Sequence, residues 1–203
     1  MKKIIFLLII ISFFTSGYSE KVFSILSRGM VRDNVTGLIW TRCSLTDGDK
    51  PIYDFNCKGP RKKYYWTEAL QACEKLDHEG RTDWRLPNIK ELQSIIHYHH
   101  YSVGYDKPGQ VIDSVFPGTV SVADATEISA CRQKQIETIA DYYPNSYPCT
   151  YANIHYWSST VHKNDSRLAW FVDFYTGNTA FGWSTGLALW GPREKYVRCV
   201  AGP

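Results

Sequence analysis

The chain carries one decisive stretch, Asp83-Trp84-Arg85-Leu86-Pro87-Asn88-Ile89-Lys90-Glu91-Leu92, in which an aromatic and a basic residue lead into the start of a helix. Pro87 keeps the residue before it out of helical geometry, which marks a corner between an extended segment and a helix. Asn88 and Glu91 have the spacing of a capping box, in which each side chain bonds the backbone N–H of the other residue. The stretch therefore predicts a helix that runs to about His97 and buries Leu92, Ile95 and Ile96.

A second helix is predicted upstream of this corner. Apolar residues recur there with helical spacing at Ala69, Leu70, Cys73 and Leu76. Thr67 is the predicted N-cap and Gly80 the predicted end of this helix. The spacing points Cys73 into the core.

Strand patterns occupy both ends of the chain. Residues 30–42 predict a strand entering and leaving a turn at Asp33 and Asn34, with Leu38 and Trp40 on one face. From Trp157 onward, alternation predicts a hairpin whose apolar positions are Trp170, Val172 and Phe174 before a turn at 176–179, and Phe181 and Trp183 after it. A last strand is predicted over 195–200.

Residues 98–155 show no sustained periodicity and contain many glycines and prolines, so they predict a long irregular insertion. A helix within it is predicted over 127–140. Segments of this length are usually functional or variable.

The N-terminus has the features of a secretory signal peptide. Two lysines precede an apolar core of 11 residues over 4–14, and Gly17 and Ser19 supply small residues before a cleavage site near Ser19. Residues 1–19 are therefore the predicted signal, 20–29 a lead-in, and 30–203 a single domain. The mature protein is expected in the periplasm, on the cell surface or outside the cell, with no transmembrane segment.

The charge balance argues against one class of partner. Removing the predicted signal takes two lysines from 23 basic residues and leaves 21 against 20 acidic ones. A nearly neutral chain lacks the basic excess that nucleic-acid binding requires.

The six cysteines favour disulfides over metal ligation. An even number behind an export signal is typical of bridges formed in an oxidising compartment, and no Cys-x-x-Cys pair indicates zinc or redox chemistry. Six cysteines allow 15 pairings, and their spacing does not select among them.

The motifs together resemble a known family. Beside the decisive stretch, the chain has Thr36-Gly37-Leu38-Ile39-Trp40, Tyr156-Trp157-Ser158-Ser159-Thr160, Ala169-Trp170 and Tyr196-Val197-Arg198-Cys199-Val200. Over roughly 30–201 this set resembles the bacterial family named after the carboxy-terminal domain of a Legionella collagen-like adhesin. Its signature residues here are Trp40, Trp84, Arg85, Pro87, Glu91, Trp157, Ser158 and Arg198.

This resemblance implies an α+β, C-type lectin-like fold. Two helices would pack on a twisted antiparallel sheet, with a long loop insertion and disulfides as staples. Such domains tie their first helix to their last strand, which implies Cys73–Cys199. The remaining cysteines then pair most simply as Cys43–Cys57 and Cys131–Cys149.

The candidate ligand-binding residues form two groups. The resemblance places Tyr175, Trp183, Trp190 and Arg193 in the region that C-type lectin-like domains commonly present to ligands. A basic cluster of Lys58, Arg61, Lys62 and Lys63 precedes the aromatic run 64–66, so it is suited to sulfated or acidic polysaccharide. The alternative is a solvated loop entering a helix whose aromatic residues belong to the core.

No metal or cofactor is predicted. His97, His99 and His100 suggest zinc, but their spacing fits surface or capping histidines better. The calcium and sugar motifs Glu-Pro-Asn, Gln-Pro-Asp and Trp-Asn-Asp do not occur, and the oxygen ligands at 164–165 and Asp173 lack that arrangement. Calcium dependence stays open.

The signature residues admit structural and functional roles. Trp84 and Arg85 can grip a carboxylate or a sugar, but a structural corner is favoured, with Arg85 bonding carbonyls or a buried carboxylate. Ser158 and Ser159 have no neighbouring His–Asp pair in the sequence, so they are expected to satisfy loop backbone groups rather than act as nucleophiles.

Three functions fit the sequence. The first is an exported, non-catalytic, adhesin-like module that recognises a glycan or a host or matrix protein through its long loop and last hairpin. The second is a cysteine-dependent oxidase, since the Arg-Leu-Pro motif also resembles formylglycine-generating enzymes; here Asn-Ile-Lys-Glu-Leu replaces that family's Thr-Glu-Ala-Glu-Trp. The third is a structural component of the envelope.

Overall fold

A computed structural model describes residues 22–96, 112–117, 154–174, 177–184 and 194–202. These residues form a mixed α+β fold with two antiparallel sheets, two helices and two disulfides. The strands are β1 (Phe23–Ile25), β2 (Met30–Asp33), β3 (Ile39–Thr41), β4 (His155–His162), β5 (Asp165–Asp173), β6 (Thr179–Trp183) and β7 (Val200–Ala201). The helices are α1 (Trp66–Glu74) and α2 (Ile89–Ser94).

The first sheet has the order β1-β2-β3-β7. Its central hairpin confirms the predicted turn: the Asp33 carboxylate accepts hydrogen bonds from the backbone of Val35 and Thr36, and Gly37 takes a positive φ of 77°. Leu38 and Trp40 are buried in the same cluster, as predicted. The segment 20–29, expected to precede the domain, contributes β1 to this sheet.

The second sheet has the order β4-β5-β6 and contains the predicted hairpin. Strand β5 pairs with β6 from Leu168↔Trp183 to Val172↔Thr179 without a register shift. The predicted last strand is shorter than expected, because only Val200 and Ala201 join a sheet. Lys195 and Tyr196 instead make single bridges to other segments.

Helix α2 begins as the sequence predicts. The Asn88 side chain accepts a hydrogen bond of 2.9 Å from the Glu91 N–H, and Glu91 accepts one of 2.8 Å from the Asn88 N–H. Its last residue is Ser94 rather than His97, and the predicted residues Leu92, Ile95 and Ile96 are buried.

Helix α1 differs from its prediction at both ends. Tyr65, not Thr67, is the N-cap, and its N–H donates to the Glu68 carboxylate at 3.2 Å. The helix ends at Glu74, whereas Gly80 lies beyond it with φ 77°, in a turn closed by paired bonds between His78 and Arg81. Glu68, at the third helical position, thus satisfies the Tyr65 N–H and marks a start two residues before Thr67.

Two apolar clusters lie against the sheets. One joins α2 to β3 and one face of β4 and β5, and includes Trp40, Ile95, Tyr156, Val172 and Phe174. The other surrounds α1 and includes Leu45, Tyr64, Cys73, Trp84 and Trp157. Chain segments far apart in sequence thus share each core.

Part of the predicted insertion belongs to the core. Ile112 bridges to Ile96, and the fully buried Phe116 ring lies 6.3 Å from the Trp40 ring and 5.3 Å from Phe23. Residues 112–117 have the irregular backbone that was predicted, but they belong to the core rather than to a variable loop. The predicted helix over 127–140 and the Cys131–Cys149 pairing lie outside the described residues.

Two of the implied disulfides are present. Cys43 bonds Cys57, and Cys73 on α1 bonds Cys199, immediately before β7. They indicate an oxidising, extracytoplasmic location. In the described parts of the chain, no helix has the length and apolar character needed to cross a membrane.

Candidate functional site

The signature corner is held by Arg85 and Glu91. The guanidinium donates to both carboxylate oxygens at 2.7 Å, while the same carboxylate caps α2. Partial burial pushes the pKa of Glu91 upward, but the hydrogen bonds from Arg85 and Asn88 outweigh it and leave the pKa below its ordinary value. Trp84 donates its indole N–H to the Arg81 carbonyl at 3.1 Å. These contacts favour the structural corner over a ligand grip.

Ser158 also has a structural contact. Its hydroxyl is fully buried and donates to the Trp170 carbonyl on β5 at 2.8 Å. The neighbouring Thr160 hydroxyl accepts from the Ile89 N–H at 3.0 Å and so ties β4 to the start of α2. As predicted, these hydroxyls satisfy backbone groups.

The predicted basic cluster is largely packed against aromatic rings. The Arg61 guanidinium lies 4.2 Å from the Tyr196 ring centre, and the Lys63 ammonium lies 5.2 Å from the same centre. Lys62 lies 4.5 Å from the Tyr64 ring centre and 3.2 Å from an Asp49 carboxylate oxygen. Lys58 is the exposed member. Much of the charge that was expected to face an acidic polysaccharide thus contributes to local packing.

Two residues that the sequence analysis did not single out extend this cluster. The buried Lys195 ammonium lies 4.3 Å from the ring centres of both Trp157 and Phe171. Burial and the nearby Lys63 charge lower the pKa of Lys195 to about 8. Burial, then the charges of Lys195 and Lys63, lower the pKa of His155 to about 3.

His155 should therefore make the fold acid-sensitive. The pKa of His155 in the folded protein, about 3, lies below the ordinary 6.5. As the pH falls from 6.5 toward 3, the unfolded chain binds a proton at His155 that the folded protein does not. The contribution of His155 to the free energy of unfolding is therefore fully present above pH 6.5 and is lost over this range. When the pH is lowered from 7 to 4, the free energy of unfolding should fall in both proteins. We expect the fall to be smaller in the His155→Gln variant than in the parent, by on the order of 2 kcal/mol. Urea unfolding at stepped pH measures the difference.

Glu91 and other carboxylates also make the fold sensitive to acid, so the contribution of His155 is measured as the difference between its variant and the parent. Val161→Gln, a non-titratable and exposed position on β4, is the matched control and should keep the parental pH dependence. Equal pH dependence in His155→Gln and the parent would contradict the assignment.

Exposed aromatic side chains gather on one face of the β5–β6 hairpin. Phe181 is 48 % exposed and Trp183 38 %, and Trp170 lies directly opposite Phe181 in the register. The Phe181 ring centre is 5.4 Å from that of Trp170 and 4.6 Å from that of His162 on β4. We call His162, Trp170, Phe181 and Trp183 the hairpin aromatic surface. Directly opposed residues share a face, so the register places these rings together.

The position of α2 explains why this surface is exposed. The same face carries Val172 near the end of β5 and Phe174 just after it. Both belong to the first core cluster, together with Leu92 of α2 and Ile95 at the C-terminal end of that helix. Trp170, predicted on one face with Val172 and Phe174, is only partly buried. Within the described residues, the helix covers one half of the face and leaves the aromatic half open.

Polar groups border the hairpin aromatic surface. The Arg167 guanidinium lies 5.2 Å from the Trp183 ring centre and forms two hydrogen bonds with Asp165, at 2.9 and 2.8 Å. These hydrogen bonds lower the pKa of Asp165 to about 2. The hairpin aromatic surface thus has hydrogen-bond donors and acceptors at its edge, as binding sites for polar ligands require.

The chain matches a known protein family over most of its length. The model of the Lcl C-terminal domain matches residues 29–201, which include both helices, both described disulfides and the hairpin aromatic surface. The chain belongs to the Lcl C-terminal domain family. This family is associated with a bacterial adhesin. No curated protein and no solved structure matched the chain.

The Lcl C-terminal domain places one predicted hairpin ligand residue on this surface, Trp183. Tyr175, Trp190, Arg193 and the histidines His97, His99 and His100 lie outside the described residues. Among the residues that are described, no group of three or more His, Cys, Asp or Glu side chains is suited to a metal ion. Sequence reasoning did not name His162, Trp170 and Phe181 as ligand residues. The predicted turn at 176–179 would have paired Trp170 with residue 185, whereas the observed register is centred two residues earlier and pairs Trp170 with Phe181.

Proposed function

We propose that this chain is an exported, non-catalytic, adhesin-like binding module that recognises a glycan through the hairpin aromatic surface. The observation that carries the proposal is the open cluster of rings at the end of the second sheet, with Phe181 and Trp183 substantially exposed. Exposed aromatic patches of this kind mark interaction sites. The adhesin association of the family agrees with it.

Sugar chemistry fits this surface. One side of a pyranose ring presents mainly C–H groups, whose slight positive charge is attracted to the negative face of an aromatic ring. Trp183 and Phe181 offer such faces, and Arg167 beside them offers N–H donors to sugar hydroxyl groups. Stacking would supply affinity and the polar rim would orient the sugar.

The proposed fold is the C-type lectin-like fold. It is supported by two helices beside antiparallel sheets and by the Cys73–Cys199 bridge, which ties the first described helix to the last strand. The long-loop part of the ligand-binding hypothesis falls mostly outside the described residues, so the hairpin carries the proposal.

We expect Trp183→Ala to weaken binding of the best glycan at least about tenfold, because removal of a hot-spot tryptophan typically costs about 2 kcal/mol or more. Arrays of glycans and matrix proteins, with and without calcium, would identify the ligand, and titration would compare the variants. Tyr53→Ala is the matched control, since Tyr53 is 63 % exposed and lies outside the hairpin. It should bind like the parent.

The same arrays separate the alternative functions. Binding to a matrix protein and to no glycan would show that the ligand is a protein. Absence of all binding would favour the structural envelope component. A count of two free thiols, together with no binding, would favour the cysteine-dependent oxidase, whereas the proposal expects none.

A further inference from the structure

Among the described residues, the outer edge of β6 presents backbone groups that pair with no other strand. The bonds from the Asp173 N–H to the Asn178 carbonyl and from the Ser184 N–H to the Arg167 carbonyl fix which positions face β5. In an antiparallel pair these positions alternate, so Thr179, Phe181 and Trp183 direct their N–H and C=O groups away from β5. In the described parts of the chain, none of these three backbones bonds another segment.

This edge lacks the usual protection against pairing. Exposed edge strands commonly carry lysine, proline or a bulge. Strand β6 reads Thr-Ala-Phe-Gly-Trp, with no charge and no proline, and it pairs with β5 without a bulge. By contrast, β4 and β5 pair with register shifts. As far as the described residues go, the edge is thus regular and open to a further strand.

We propose that β6 pairs antiparallel with β6 of a second copy of this chain, about a two-fold axis at Phe181. This register sets Phe181 opposite Phe181 and Thr179 opposite Trp183 of the other copy. The outward-facing positions then oppose one another, and each such pair exchanges two N–H···O bonds. The strand is self-complementary in hydrogen bonding.

The side chains also fit this register. Ala180 falls opposite Gly182 at the closely spaced, non-hydrogen-bonded position, where small side chains permit close approach. The two Phe181 rings meet across the axis, and aromatic cross-strand pairs are favourable. Strand β6 carries no charge itself, and Arg167 beside Trp183 is paired with Asp165 at 2.8 Å. The Lys195 ammonium also approaches Gly182, but from the sheet face opposite the Phe181 ring, where it lies against Phe171.

The pairing goes beyond the proposed function and does not depend on it. It uses the backbone edge of β6 and a contact between the Phe181 rings at that edge, whereas the ligand would lie on the sheet face. Two hairpin aromatic surfaces would then lie side by side on one continuous sheet. Two linked sites would raise avidity toward a repeating ligand.

A charge-swap experiment tests the axis at Phe181. The full chain, exported into an oxidising compartment, should double in mass by sedimentation velocity as its concentration rises. Phe181→Lys and Phe181→Glu should each stay monomeric, because like charges would meet across the axis. A 1:1 mixture of the two variants should regain the doubled mass. Val161→Lys, exposed on β4, is the control and should behave like the parent.

Rescue by mixing separates lost pairing from lost folding, since two misfolded variants would not restore each other. A parent chain that stays monomeric at every concentration would overturn the proposal, whether β6 accepts a strand of another protein or none. Doubled mass in Phe181→Lys alone, or failure of the mixture to associate, would also overturn it.

Discussion

Replacing Cys73 and Cys199 together with alanine should lower the free energy of unfolding by about 5 kcal/mol. The bridge joins residues 126 positions apart, so it restricts the unfolded chain over most of the domain. In the chain-entropy view, this restriction favours the folded state in proportion to the logarithm of the loop length. Urea unfolding of the purified parent and variant, monitored by tryptophan fluorescence, measures the loss.

The Cys43–Cys57 bridge supplies a matched control. Both of its cysteines are buried, but it closes a separation of only 14 residues. The corresponding double alanine variant should lose about 3 kcal/mol. An equal or larger loss from the short bridge would show that native packing, rather than loop length, determines which bridge stabilises the fold more.

The long bridge matters because the chain end has little other regular structure. Strand β7 has two residues, and its pairing with β3 covers Ile39↔Ala201 and Trp40↔Val200. The covalent link from α1 holds this short strand beside β3. We therefore expect the end of the first sheet to loosen first when the bridge is removed.

Local sequence signals predicted the elements that depend on neighbouring residues. The Asn88 and Glu91 side chains are three positions apart and cap α2 through their own backbones, so the sequence alone identifies the start. The β5–β6 hairpin follows from alternation on both sides of a turn, and Gly177 takes a positive φ there. These features need no knowledge of distant contacts.

The start of α1 shows where local signals compete. Thr67 is a common capping residue, yet it lies inside the helix, and Glu68 reaches back to the N–H of the actual N-cap, Tyr65. Trp66 then forms the first residue of the helix, and its indole donates to the Ser158 carbonyl on β4 at 2.8 Å. A contact 92 residues away thus favours the earlier start, and no local pattern encodes it.

Packing between distant segments accounts for the other differences. Phe116 lies in a segment without periodicity, but it fills the space beside Phe23 and Trp40. The hairpin aromatic surface likewise depends on where α2 stops covering the sheet. Sequence placed Trp183 among the candidate residues, whereas the exposure of Phe181 and Trp170 follows only from tertiary structure.

Replacing Arg198 with methionine should also destabilise the fold strongly, by about 3 kcal/mol or more. Arg198 is fully buried, and one guanidinium nitrogen donates to the carbonyls of Thr41 and Arg42. Burial lowers the pKa of Arg198 to about 10, so the group stays charged at neutral pH. Methionine keeps much of the apolar contact with the Phe116 ring, 4.9 Å from the guanidinium carbon, but leaves the two carbonyls without this donor.

Arg167→Met separates this effect from the general loss of an arginine. The Arg167 side chain is 66 % exposed and pairs with Asp165 at the surface, so its removal should change the free energy of unfolding by less than about 0.5 kcal/mol. Chemical denaturation of both variants gives the comparison. A near-neutral Arg198→Met would mean that desolvation of the buried guanidinium offsets its hydrogen bonds. Arg198 would then be dispensable for stability, and the junction between β3 and β7 would rest on their backbone pairing, the bonds between Thr41 and Cys199, the disulfide and the apolar core.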